Sequence, residues 1–296
     1  MTVDVAAIIV SFESREYIAA CLDSLRQGNG QVRVVVVDNA SSDGTPQVVR
    51  ERFPDVTLVP LPQNRGFAAG VNRGIRECSG ATFFFLVNPD CVVLPGAVLR
   101  MLAFAQDHPE VGILGPRVFD DLQCQTVQPS CRRFPTLMTA LFNRHSLFTK
   151  LFKGNVFSHD YLYLDQDLSR PLAVDWVSGS AMLVRRGMLE QTGLLDEGFF
   201  FLCEDIDLCW RAHRAGWEVI YYPEASVVHF GGKSAERVPY RALVARHRAM
   251  LRLYRKHIRK TPITDPVVHV GGWLRLGFLL GREALRRLIS LRTGVR

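Results

Sequence analysis

The sequence lacks any run of about 18 or more consecutive apolar residues, so no segment reads as a membrane-spanning helix. The nearest stretch, Val267–Leu280, is interrupted by His269, Gly271, Gly272, Arg275 and Gly277. No basic stretch precedes the first apolar run, Val5–Val10, and no small-residue cleavage site follows it. A secretory leader is therefore not expected. The seven cysteines are scattered, odd in number and form no Cys-x-x-Cys. That pattern excludes a disulfide framework and a structural zinc site, and points to a reducing cytosol. Internal repeats and low-complexity tracts are absent. With 48% hydrophobic and 22% charged residues, the 296-residue chain is neither disordered nor fibrous and can bury a large core.

What is present is an uneven charge. The formal net is +7. Residues 233–296 carry 16 of the 36 basic side chains and only 3 of the 29 acidic ones, a local net of +13. The first 232 residues are left with 20 basic and 26 acidic, a net of −6. An acidic body joined to a basic arm implies an anionic partner surface.

Along the body, short apolar runs alternate with helical spacing. Val5–Val10, Val32–Val37, Val56–Val59 and Thr82–Val87 read as strands. Ile18, Cys21, Leu22 and Leu25 follow helical spacing, as do segments through Gln47–Arg52 and up to Cys78. Continuous apolar strands separated by helices predict a doubly wound α/β fold with a mostly parallel sheet covered on both faces. Polar loops recur at the strand ends, at Ser11–Ser14, Asp38–Thr45 and Asn88–Asp90. Ligands of open α/β sheets bind at those ends. A stretch from Arg132 through Phe152 is amphipathic at helical spacing, fitting a helix packed on the sheet or a surface for a lipid-linked substrate.

Three acidic groups stand out: Asp38 with Asp43, Asp90, and Glu204-Asp205 with Asp207. Singly, each has an ordinary explanation as a turn, cap or first-turn carboxylate. Their contexts, however, occur in one order: Val34–Thr45 with Asp38-Asn39-Ala40-Ser41-Ser42-Asp43-Gly44, Asn64-Arg65-Gly66-Phe67-Ala68-Ala69-Gly70-Val71-Asn72, Phe85–Asp90, Gly179-Ser180-Ala181, and Phe200–Arg211 with Glu204-Asp205. Five such motifs in sequence over residues 5–232 resemble the family 2 glycosyltransferases, and most closely their bacterial rhamnosyltransferase-like branch.

The resemblance implies a GT-A fold, a nucleotide-sugar donor, Mg²⁺ or Mn²⁺, and transfer with inversion. By family position, Ser11, Phe12 and Glu13 would line the nucleoside pocket, Asp38 would contact the base or ribose, and Arg65 would lie near the base or diphosphate. Asn88-Pro89-Asp90 stands where the family has Asp-x-Asp, so Asp90 would bind metal although the first acid is Asn88. Glu13 is a second departure, because the family usually carries Asn there. Asp205 would be the catalytic base, with Glu204 positioning the acceptor or the base, and Asp207 structural. His229, before Gly231-Gly232, would close over the metal and diphosphate, and Trp176 would offer a face to the acceptor sugar.

The expected organisation is a glycosyltransferase domain over residues 1–232, with a donor half (1–115) and an acceptor half (116–232), followed by a basic amphipathic helical tail over 233–296. In that tail, Leu243, His247, Met250, Tyr254 and Ile258 share one stripe, and a second segment pairs Trp273, Leu274 and Phe278 with Arg275 and Arg282. Arginines on one face and large apolar side chains on another describe a helix lying on anionic lipid. The branch resemblance suggests dTDP-L-rhamnose as donor, with a UDP-sugar as alternative, and a lipid-linked glycan as acceptor. The location would be the cytoplasmic face of the cell membrane. No nucleic-acid partner is expected, since no recognisable module accompanies the charge. The rival expectation is a catalytically silent nucleotide-binding module that recruits partners to the membrane. A nucleotidyltransferase would need a Gly-rich, basic N-terminal signature, and Ser11–Ser14 offers none.

Overall fold

The computed structural model describes residues 5–137, 160–231 and 239–293. The β-branched runs form the strands their composition predicts. β1 (Val5–Ser11), β2 (Val32–Asp38), β3 (Thr57–Pro60) and β4 (Phe83–Val87) pair in parallel in the order β3-β2-β1-β4. Helices α1 (Ile18–Arg26), α2 (Thr45–Arg52) and α3 (Phe67–Glu77) connect them. The register sets Ser11 beside Asp38, so two of the predicted polar loops leave adjacent strand ends together.

Beyond β4 the sheet is mixed. After β5 (Cys91–Val93) and α4 (Ala97–Asp107) come β6 (Val111–Phe119), β7 (Val127–Gln128) and β8 (Cys131–Arg132). The short strands β9 (Leu172–Ala173) and β10 (Trp176–Val177) precede β11 (Ala181–Arg185), α5 (Arg186–Thr192), α6 (Glu204–Arg214) and the long β12 (Glu218–His229). β11 inserts antiparallel between β4 and β6, β12 runs parallel to β6, and β5 closes the edge antiparallel to β12. Alternation along β1 sends Ala6, Ile8 and Val10 to one buried cluster and Val5, Ala7 and Ile9 to the other. Both faces are therefore covered, and each fully buried Ile, Leu or Phe contributes about 1.5–3 kcal/mol.

The basic arm begins as α7 (Pro239–Leu253), loosens into a π-helical turn (Tyr254–Ile258), and continues as α8 (Asp265–Thr293). Ala249 and Leu253 of α7 belong to the main core cluster, so this first helix is packed onto the body. The expected boundary at residue 232, and most of the amphipathic stretch between Arg132 and Phe152, fall outside the described residues. On α8, Leu276 is buried, while Val267, Val270, Leu274, Phe278 and Leu285 are exposed. Their spacing puts those five on one stripe, opposite Leu276. No helix among the described residues is long and apolar enough to cross a membrane. All seven cysteines are free thiols.

Candidate active site

The strand ends of β1 and β2 build one wall. Ser11 Oγ donates to Asp38 Oδ1 at 3.0 Å, and the Ser41 amide donates to Asp38 Oδ2 at 2.9 Å. Glu13 lies in the left-handed region (φ 51°), and its Oε1 accepts from the Ser42 amide at 2.8 Å and the Ser42 hydroxyl at 2.9 Å. Glu13 thus braces the Asp38–Thr45 loop from below, beside half-buried Phe12. Asp43 accepts from the amides of Thr45 and Arg15, both at 3.0 Å, the turn role its Ser/Gly setting suggests, while Gly44 is the residue that caps α2.

Asn39, to which sequence reasoning gave no role, ties this wall to the next. Its Oδ1 accepts from the Arg65 amide at 2.8 Å, and its Nδ2 donates to Gly66 O at 3.0 Å. The Arg65 side chain is exposed, 3.9 Å from Glu197. Gly66 has φ 88°, and a Cβ there would stand 2.4 Å from Phe200 O, which also accepts the Phe67 amide at 3.0 Å. Only glycine fits a backbone so turned and so crowded. The contact draws the segment before Glu204 against the donor-side loop.

Asp90 and His229 meet because β12 and β5 pair His229 with Cys91. His229 Nε2 lies 3.4 Å from Asp90 Oδ1, and the Phe230 amide donates to Asp90 O at 3.1 Å. Gln128, from β7, makes the far side: its Oε1 lies 3.2 Å from His229 Nδ1, and its Nε2 donates to His229 O at 2.8 Å. An Nδ1–H held by Gln128 aims the Nε2 lone pair at the Asp90 carboxylate. Two acceptors so placed call for a cation between them. Carboxylate oxygen and imidazole nitrogen suit Mn²⁺ or Mg²⁺, so the residues fit the implied metal. Cys91 also reaches this cluster, its potential ligand atom within 4.8 Å of the others. Its thiol is pushed up by burial first and by Asp90 second, and it donates to Ser180 O at 3.3 Å. That protonated thiol is no ligand for a hard cation. Gln128 followed no sequence signal beyond its place in a short apolar-flanked segment.

Asn88 is half-buried, and its amide donates to Ser180 O at 2.9 Å. The adjacent Gly179 amide donates to Asp205 Oδ2 at 2.9 Å, so residues 179–180 bridge the Asp90 loop and the Asp205 helix. A Cβ on Gly179 would lie 3.2 Å from Asp205 Cβ. Leu202 and Cys203 precede α6 with φ of 68° and 71°, a strained approach of the kind that functional sites retain. Asp205 also accepts the Ile206 amide at 2.8 Å, whereas buried Glu204 Oε2 and Ser180 Oγ have no partner among the described residues.

Burial pushes both carboxyls of the Glu204–Asp205 pair upward. The two backbone amides favour ionised Asp205, while Glu204 feels burial and the neighbouring Asp205 charge. The amides therefore favour the negative charge of the pair on Asp205 and its proton on Glu204. A carboxyl whose folded pKa lies above its unfolded value of about 4.3 destabilises the fold as pH rises from that value toward the folded pKa. Glu204→Gln should remove this falling component. Denaturant titrations from pH 4 to 9 should show the variant losing less stability than the parent as pH rises. Parallel curves would refute the assignment.

Trp176 takes a different place from the expected one at the acceptor face. It is 4% exposed, its Nε1 donates to Arg133 O at 2.8 Å, and the Arg132 guanidinium lies 5.0 Å from its ring centroid. Asp207 points away from Asp205, into contacts with Arg211, Lys256 and His257. Ser11, Asp38 and the Arg65 backbone are thus gathered at the ends of β1 and β2, and Asp90 with His229 at the sheet edge. Glu204 and Asp205 stand at the start of α6 between Gly179 and Cys203.

The family model described as "Glycosyltransferase like family 2" matches residues 3–255. An N-acetylglucosaminyl-diphospho-decaprenol L-rhamnosyltransferase of Mycobacterium tuberculosis is 33% identical over 261 residues, 84% of this chain and 83% of that protein. Rhamnosyltransferase WbbL of Escherichia coli is 25% identical over 229 residues, 75% and 82% of the two chains. Among solved structures, a mannosyltransferase from Pyrobaculum calidifontis in complex with GDP-Man and Mn²⁺ superposes with a TM-score of 0.54 at 20% identity. The match covers all of this chain and 77% of that one. GalNAc-T7 with UDP, GalNAc and Mn²⁺ gives 0.57 at 12% identity, over 77% of this chain and 44% of its own. With the motifs in order, the mixed sheet in place and a family model spanning most of its length, the chain belongs to the family 2 glycosyltransferases, in their rhamnosyltransferase-like branch and with the GT-A fold.

Proposed function

We propose that the chain transfers L-rhamnose, with inversion, from dTDP-L-rhamnose to a sugar carried on a polyprenyl diphosphate, in the synthesis of a cell-surface polysaccharide. The observation that carries this reading is the likeness over 84% of the chain to a mycobacterial enzyme named for that transfer. The geometry at α6 supports it, because the Gly179 and Ile206 amides hold the Asp205 carboxyl in one orientation and favour its ionised form, as a general base requires.

In the step itself, Asp205 takes the hydroxyl proton as the acceptor oxygen bonds to the anomeric carbon. The bond from that carbon to the diphosphate oxygen breaks, and the nucleoside diphosphate leaves with the electron pair. Protonated Glu204 has a free oxygen with which to hold the acceptor. Ser11, Phe12, Glu13 and Asp38 shape the nucleoside wall, with Arg65 and Asn88 toward the diphosphate. Asp90 and His229 would hold Mn²⁺ or Mg²⁺, which when bound neutralises charge growing on the leaving diphosphate. The site would work at the cytoplasmic face of the membrane. The +13 arm and the exposed apolar stripe of α8 support that placement by offering anionic lipid both charge and apolar surface.

The test is transfer to a prenyl-diphosphate-linked N-acetylglucosamine from dTDP-rhamnose, UDP-N-acetylglucosamine and GDP-mannose, each with and without Mn²⁺. Rhamnose transfer alone is the expected result, and transfer from none of the donors would remove the function. Gln128 supplies a second check on the metal. Gln128→Ala should raise the Mn²⁺ concentration for half-maximal activity by about 10–100-fold, the usual effect of losing a partner that orients a ligating histidine.

A further inference from the structure

The crossing of α7 and α8 makes a groove that the reaction above does not use. Gly272 brings α8 onto His247 of α7, with the His247 and Trp273 rings 4.7 Å apart at their centroids. Leu243 and Met250 from α7 face Leu276 and Leu279 from α8, an apolar trough. Arg246, Arg275 and Arg282 line the same trough, and none has a carboxylate partner among the described residues. Arg275 is half-buried, and its pKa is pulled down by burial first and by the charge of Arg246 second. Holding a partly desolvated guanidinium beside another with no counter-ion costs stability, unless an anion joins them.

The charge of one groove arginine is felt at the start of α6. Arg246 acts electrostatically on Cys203, the residue before Glu204, and on Tyr161. Arg132 acts on that tyrosine too, and on Asp205.

We propose that this groove binds the diphosphate and first isoprene units of the lipid-linked acceptor. Arg246, Arg275 and Arg282 take the diphosphate, and Leu243, Met250, Leu276 and Leu279 take the chain. The proposal rests on the lipid-linked acceptor reading above and deepens it. Charge complementarity selects the occupant: a diphosphate diester carries two negative charges, and guanidinium forks bind such oxygens in pairs. A purely apolar partner would leave the arginines unmatched, and a free phosphate would leave the trough unfilled.

Farnesyl diphosphate is the probe, titrated calorimetrically into the full chain, with farnesol and inorganic diphosphate as controls. Farnesyl diphosphate should bind at least about ten-fold more tightly than either control. Arg246→Gln and Arg275→Gln should each weaken it by about ten-fold, as loss of a charge-assisted hydrogen bond does. Binding of the nucleotide-sugar donor, measured on the same samples, should not change. Arg275→Gln should melt no lower than the parent, since it removes a charge held near another. Farnesol binding as tightly as farnesyl diphosphate, or variants with unchanged affinity, would overturn the proposal. So would phosphatidylglycerol vesicles that displace the probe and lose affinity equally in the variants, because the groove would then hold a phospholipid headgroup. A chain that transfers rhamnose yet fails these tests would lose only the groove. Absence of transfer from every donor would fall on the function instead.

Discussion

Asp205→Asn is expected to lower kcat by about 10²–10⁴-fold, the range that a positioned general base supplies, while donor affinity stays within a few-fold of the parent. The expectation follows from the division of labour at α6. Asp205 accepts two backbone amides, from Gly179 and Ile206, and these hold its charge and its orientation. An amide side chain keeps the size but cannot take a proton. It also presents an NH₂ group to one of those two amide donors, which costs about 1–3 kcal/mol of stability. Transfer rates should therefore be measured well below the variant's melting point, with donor binding by calorimetry on the same preparation. Glu204→Gln should be the milder change in rate, since the residue it replaces is already neutral. A variant Asp205→Asn with near-parent turnover would hand the base role to another group, whereas one that loses turnover yet keeps the cellular function would favour the non-catalytic reading.

The largest effect on stability is expected at Asp207, two residues along the same helix. Its Oδ1 lies 2.7 Å from both Lys256 Nζ and His257 Nε2, and its Oδ2 accepts Arg211 Nε at 2.9 Å. Lys256 also reaches Asp196 at 2.8 Å, so one carboxylate system clamps α6 to the π-helical turn that ends α7. His257 stacks on Trp210, which stacks on Phe134, covering the clamp from water. Removing one partner of a buried ionic cluster costs about 3–5 kcal/mol, because the cations around it lose their shared buried counter-ion. Asp207→Ala should lose that much in urea unfolding.

The acid side of the stability curve gives a second reading of the same residue. Burial alone would raise the Asp207 carboxyl, but His257, Lys256 and Arg211 outweigh it and hold it well below the usual range. A depressed folded pKa contributes stability above the unfolded value of about 3.9, and loses it as pH falls toward the folded pKa. The parent should therefore lose stability below about pH 4 more steeply than Asp207→Ala. Equal acid limbs would show that the clamp carries little of the fold.

How much of this was legible in the sequence depends on range. The strands β1, β2 and β4 announce themselves as continuous apolar runs, because a buried parallel strand needs no alternation. The helix carrying Glu204 and Asp205 was also readable, since first-turn carboxylates follow from the helix dipole. The mixed half of the sheet was not. Ala181–Arg185 is a short apolar run whose antiparallel insertion beside β4 is decided by partners far along the chain. His229 could be singled out, but Gln128, which aims it, lies 101 residues away and carries no local pattern. Asp207 could be set apart by its place on the helix, while its clamp to residues 256 and 257 needed the π-helical turn that no periodicity announces. The basic arm was visible as charge, but its split into a helix in the core, a groove and an exposed stripe is a property of packing.

The contact between Gly66 and Phe200 has a consequence for engineering. Gly66 opens α3 and Phe200 precedes α6, yet the backbone of one leaves no room for a side chain on the other. A chimera that exchanges residues 1–115 with a relative would pair loops that were never fitted together. These two segments are not interchangeable one at a time, and a transplant should move Asn64–Phe67 together with the segment through Phe200 as one cassette.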